Sequence, residues 1–128
     1  MAKEDFLSKQ IAQLGFVLKR MFEKLIGGKS DAEFSTVVSQ INGALKEELG
    51  FDLDTIEGIS KDELVSFLIQ NQYFTSENVE IFADILAHIG KLDFNEKALL
   101  LYEYVNAKTA TFSMERNLKI QNIRKKLL

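Results

Sequence analysis

Proline and cysteine are both missing from this 128-residue chain, and histidine occurs once. Average usage of about 5% would place roughly six prolines in a chain of this length, and proline is the residue that helix interiors tolerate least. Its absence points to helices. Without cysteine there is no disulfide framework and no thiolate for zinc, iron–sulfur or nucleophilic chemistry. A lone histidine rules out any metal site built on paired imidazoles. Long apolar runs are also lacking: Lys9 and Lys19 interrupt the opening stretch, so it resembles neither a signal-peptide core nor a membrane span. A reducing, cytoplasmic setting is the expectation.

Apolar residues make up 46% and charged residues 27%, an ordinary globular balance, and the length suits one domain over residues 1–128. The net charge of -3 is unevenly spread. Residues 1–30 hold 6 Lys/Arg against 3 Asp/Glu, residues 113–128 hold 5 against 1, and residues 31–112 hold 5 against 15. An acidic body of -10 thus lies between basic ends of +3 and +4.

Helix starts are marked by capping boxes, in which a Ser or Asp oxygen takes an orphan amide and an acid three residues later reaches back. Ser30 with Glu33, Ser60 with Glu63 and Asp93 with Glu96 fit this pattern, and Ser76 and Ser113 are simpler N-caps. Gly27 with Gly28, Gly50 and Gly90 mark stops. About six helices are predicted, near 3–26, 31–49, 61–72, 77–90, 94–107 and 114–127, so the expected fold is all-α. Leu7, Ile11, Leu14, Leu18, Met21 and Leu25 form one seam along a long amphipathic first helix, and Phe34, Val37, Val38, Ile41 and Leu45 repeat the arrangement on the second. Gly43 weakens the second helix for no chemical reason legible in the chain. The fourth and fifth helices are apolar around more than half their circumference, which makes them central or oligomeric. The last splits its apolar residues into Met114 with Leu118 and Ile120 with Ile123 and Leu127.

Val79, Phe82, Ala83 and Leu86, followed by Ala98 and Tyr102, resemble the core positions of a tetratricopeptide hairpin. The caps Ser60 and Asp93 lie 33 residues apart, and Ser76 and Ser113 lie 37 apart, spacings that allow two stacked, degenerate hairpins. The amphipathic opening from Asp5, Phe6 and Leu7, with the later stretches 101–106 and 112–113, resembles small bacterial helical proteins grouped as a domain of unknown function. That resemblance implies a helical fold and no activity.

Glu80, Asp84 and His88 follow at intervals of four, so one side of a helix carries two carboxylates and an imidazole, the groups that bind a metal or move a proton. The simpler expectation is a solvated row in which His88 bonds to Asp84. Asp52, Asp54, Ile59, Ser60 and Glu63 fall at positions one, three, eight, nine and twelve of a calcium loop, but Ile56 and Glu57 stand where an oxygen ligand and a glycine are required. No calcium site is expected, and Glu63 is assigned instead to the Ser60 cap. Arg116, Lys119, Arg124, Lys125 and Lys126 make a basic end that could meet phosphates. They lack interleaved aromatics, and the acidic body would repel a polyanion. The stretch Gly27-Gly28-Lys29-Ser30 shares only its ending with a phosphate-binding loop and follows a helix rather than a strand.

Phe16 points nearly opposite the first helix's seam, among Asp5, Lys9, Lys19 and Glu23, and should be exposed. With Met114 and Leu118 it is the candidate contact residue. The expected function is a non-enzymatic helical interaction or scaffold module, whose partner is a second copy in a two-fold dimer or another protein. The alternative is an enzyme or small-ligand binder using Glu80, Asp84, Tyr102 and Tyr104 in a pocket between helices. No metal, cofactor, nucleic acid or membrane is expected.

Overall fold

The computed structural model describes residues 2–28 and 30–128. The fold is all-helical, with seven α-helices and no strand among the described residues: α1 (Ala2–Ile26), α2 (Asp31–Leu49), α3 (Leu53–Gly58), α4 (Lys61–Ile69), α5 (Ser76–Ile89), α6 (Leu92–Lys108) and α7 (Met114–Lys126). Among the described residues no helix is long and apolar enough to cross a membrane.

The core is organised around α5, which buries Val79, Ile81, Phe82, Ala83, Ile85 and Leu86. Apolar side chains on so many sides need more than one neighbour. The α6 helix returns after a two-residue link through Gly90 and Lys91 and contributes Phe94, Ala98, Leu101, Tyr102 and Val105. From the other side α1 contributes the seam Leu14, Leu18, Met21 and Leu25 to the same core. Each large side chain buried this way contributes about 1.5–3 kcal/mol. Gly90 closes α5 at φ 79°, and Gly50 closes α2 at φ 80°, the left-handed conformation that favours glycine.

At Gly15 the α1 helix passes close to the first turn of α5. Gly15 faces Asn78, which is 3% exposed and donates through Nδ2 to the carbonyls of Ile11 (3.0 Å) and Tyr73 (2.8 Å). A β-carbon at position 15 would stand 2.8 Å from Asn78 Oδ1. Gly15 is therefore a packing glycine that the sequence pattern does not reveal. Gly43 is different: a β-carbon there would meet open space, and nothing in the structure explains the glycine.

The extra helix is α3. Six residues cannot hold a helix by their own hydrogen bonds, and here side chains from elsewhere fix both ends. Asp52 accepts from the Thr55 backbone N–H and hydroxyl (both 3.0 Å), while Asn42 of α2 accepts from the Leu53 N–H at 2.6 Å. At the carboxyl end Lys97, 2% exposed, donates to the carbonyls of Ile56 (2.6 Å) and Glu57 (3.1 Å) and to Asp93 (2.8 Å). A buried ammonium is tolerable because three oxygens and the negative end of a helix surround it. Edge-to-face rings continue the core beyond α3, from Phe67 to Phe51 (5.1 Å between centroids), to Phe82 (6.2 Å) and to Phe74 (5.8 Å).

Several expected caps are replaced. Ser30 and Ser113 do cap, accepting from the N–H groups of Glu33 and Arg116 at 3.1 Å each. Ser60 makes no side-chain cap bond, so the Ser60 and Glu63 box does not form. Thr75 rather than Ser76 caps α5, and α6 begins at Leu92, two residues before the expected start. That leaves Asp93 inside the helix, paired with Lys97, and sends Glu96 to Lys61. One pair within the helix and one long-range pair replace the local box here.

The two glycines give opposite expectations. Gly43→Ala should stabilise the fold by about 0.5–1 kcal/mol by removing backbone freedom from the unfolded chain. Gly15→Ala should cost about 1–3 kcal/mol, because Asn78 is held by two bonds and cannot move aside freely. Urea unfolding measures both, and a Gly15→Ala protein as stable as its parent would contradict the tight crossing.

Candidate functional site

Two surfaces gather the residues singled out from the sequence. The first is polar and lies where α7 docks on α5 and α6. Glu80 and Asp84 stand one turn apart on α5, and Arg116 and Lys119 stand at the matching spacing on α7. Glu80 accepts from Arg116 Nε (3.1 Å) and Lys119 Nζ (3.0 Å), and Lys119 also reaches Asp84 (3.1 Å). Tyr102 of α6 donates its hydroxyl to Asp84 at 2.5 Å. Arg116 is steadied further by Asn106, whose Oδ1 accepts from Nη1 at 2.7 Å.

Burial raises the Asp84 carboxyl above the ordinary aspartate value, although Tyr102 and Lys119 pull the other way. Burial, with the Asp84 charge beside it, pushes the Tyr102 hydroxyl up, so it remains a donor at neutral pH. For Lys119 burial opposes the charge, but Asp84 and Glu80 outweigh it and hold the ammonium above its usual value. Two carboxylates meet two cations, and the chemistry is that of a strut fastening α7.

Beside the strut is a hollow of about 350 Å³, lined by residues that include Phe22, Asp84, His88, Tyr102, Lys119 and Lys126. His88 does not bond to Asp84 as expected. Its ring instead meets Phe22 edge-on (5.9 Å, 83°) and lies tilted against Phe34 (6.2 Å). The reason is competition: Lys119 and the buried Tyr102 hydroxyl occupy the Asp84 oxygens, while His88 stays exposed. Tyr104 does not join the group and carries Lys108 over its ring at 5.9 Å. The row Glu80, Asp84 and His88 is thus split between ion pairs and ring contacts, and no group of three or more His, Cys, Asp or Glu able to hold a metal occurs among the described residues.

The other motifs resolve in the same local terms. The stretch 52–63 is largely helix, and Asp52 is taken up by Thr55, whose hydrogen bonds lower its carboxyl below the usual value. The basic end divides: Arg116 and Lys119 turn inward, Arg124 reaches Glu103 at 3.4 Å, and Lys125 and Lys126 remain exposed. Lys29, the lysine of the Gly-Lys-Ser ending, lies outside the described residues.

The second surface is apolar and lies between α1 and α2. Phe16 is 56% exposed, as expected from its position, and Arg20 stacks on its ring at 5.6 Å. It lines a hollow of about 320 Å³ with Val17, Met21, Ile41 and Ala44. A second hollow of about 520 Å³, bordered by Gly28, Ala32, Thr36 and Val37, shares Lys24 and Gln40 with the first. Together they make a groove. It stays open because α2 anchors itself through Ile41 and Leu45, while Phe34, Val37 and Val38 are half-buried. Met114 and Leu118, 70% and 54% exposed, stand on α7 and are not part of this groove, since that helix buries Arg116, Ile120 and Ile123.

Sequence reasoning missed Arg116 and Lys119 as partners of Glu80 and Asp84. Spacings of three and four with opposite signs on two helices were the available signal. It missed the groove because a groove depends on how far apart two helices stand. The chain matches no family model, no curated protein and no solved structure.

The raised Asp84 carboxyl gives a signed pH dependence. The folded chain holds the Asp84 proton more tightly than the unfolded chain, so this contribution to stability is full below the ordinary carboxylate value, about 3.9, and is lost as pH rises through the raised value. Asp84→Asn lacks that dependence. Urea unfolding at about pH 4 and pH 7 should show the parent losing ground to Asp84→Asn as the pH rises; a gap that moves the other way would contradict the burial account.

Proposed function

We propose that the chain is a non-enzymatic helical interaction module that holds a partner protein against the α1–α2 groove. The observation that carries this reading is the groove itself, apolar on its floor and bordered by Phe16, a large ring left in solvent. Apolar side chains cost free energy in water, and a concave patch between two helices is where a further helix would bury them. The strut at Glu80, Asp84, Arg116 and Lys119 supports the same reading, because its charges are already paired.

A second copy is one candidate partner, meeting the chain through Phe16 on α1 and Met114 and Leu118 on α7. All three are more than half exposed. A stable interface should bury more than roughly 1,000 Å², so both helices would have to contribute. The hollow beside Asp84 and Tyr102 favours the alternative of a small-ligand binder, with His88 and Lys126 at its rim.

Photocrosslinking in the host cell tests the reading directly. A photoreactive residue at position 16 should give discrete protein adducts, whereas one at position 103, on the exposed side of α6, should not. Light scattering of the parent, Phe16→Glu and Leu118→Glu then identifies self-association: a dimer lost in both variants makes the partner a second copy. No adduct from position 16, together with a monomeric parent, would overturn the proposal.

A further inference from the structure

We infer that the occupant of the α1–α2 groove is an acidic amphipathic helix of about four turns, supplied by a different protein. The inference rests on the reading of the chain as an interaction module and adds the chemistry of its partner. Along α1 the groove lining runs from residue 13 to the end of the helix, and Gly27 and Gly28 of the turn beyond continue it. At about 1.5 Å per residue the helical part is roughly 20 Å long, the length of a helix of about fourteen residues. Val17, Met21, Ile41 and Ala44 form an apolar floor at one end, and Ala32 and Val37 line the other. A helix laid there with apolar residues at i, i+3 or i+4, and i+7 would complete a three-helix layer.

Charge selects the partner. Arg20 and Lys24 stand one turn apart on the α1 rim, and no carboxylate pairs with either among the described residues. Gln13 and Gln40 add neutral donors. Glu33 is the carboxylate in the lining, at the end of the groove bordered by Gly27 and Gly28, away from Arg20. Acidic residues flanking an apolar stripe would therefore meet Arg20 and Lys24, fixing register and orientation. The exposed helix of a second copy fits poorly: α7 ends in Arg124, Lys125 and Lys126 and would bring like charge to the same rim. Among the more acidic helices of this chain, α2 is itself a wall of the groove, and α3 and α5 have their apolar residues committed to the core. A different chain with the opposite charge is what remains.

The test is a selection from displayed 16-residue helical peptides, with Leu, Ile, Phe or Met fixed along one stripe and Glu, Lys, Gln or Ser allowed elsewhere, using the full chain as bait. Glu should be enriched over Lys beside the stripe. Selected peptides should shift NMR signals along 13–28 and 32–44 and should lose at least about tenfold in affinity, about 1.4 kcal/mol, against Arg20→Glu with Lys24→Glu. Gly43→Ala, on the open side of α2, should bind like the parent. Selection of Lys-rich or charge-blind peptides would overturn the acidic partner while leaving the module reading intact. So would a parent dimer abolished by Phe16→Glu and by Lys24→Glu, which would put a second copy in the groove. Failure of every peptide to bind, with no crosslink from position 16, would remove both.

Discussion

Burial of α5 is the constraint on which the rest of the structure depends. A fourteen-residue helix with apolar side chains on most of its circumference cannot be covered by one neighbour, so α6 closes over one side and α1 over another. Each approach imposes its own requirement. The α6 hairpin needs the left-handed turn at Gly90, and the α1 crossing needs Gly15 opposite Asn78, whose amide nitrogen is held by two carbonyls. The remaining polar strip of α5, Glu80 and Asp84, would border this core as two carboxylates with little water around them. Arg116 and Lys119 neutralise it and thereby fasten α7.

What was legible in the sequence follows from how local each cause is. The Leu14, Leu18, Met21 and Leu25 seam, the Ser30 and Ser113 caps and the glycine stops at 50 and 90 are set by residues within a turn or two of each other. They were read correctly, as was the exposure of Phe16. The α3 helix was not, because its ends are held by Asn42 from 11 residues away and by Lys97 from 41 residues away. A lysine in an apolar stretch reads as an interruption until its three oxygens are found. The same limit explains His88: its spacing from Asp84 is right for a bond, but the choice of partner is made by Tyr102 and Lys119, which arrive from other helices.

The division of labour between helices bears on function. In the α5, α6 and α7 region the buried cations Lys97 and Arg116 are paired, and apart from Asn95 Oδ1 that part of the molecule satisfies its own interior. The α1–α2 side is less committed. There α2 is fastened by Ile41 and Leu45 and by Asn42's bond to α3, while its first two turns bury no side chain fully. A helix that buries side chains fully only in its second half leaves a groove beside its first, and the proposed partner helix would supply the burial that α2 lacks.

Hydrogen exchange, resolved by residue, tests this unequal commitment. Amides of α5 and α6 should exchange only through global unfolding, with rates that respond steeply to denaturant, whereas amides in the first half of α2 should exchange through small openings almost insensitive to it. Protection of α2 equal to that of α5 would contradict the picture, because a helix packed that firmly would need no partner.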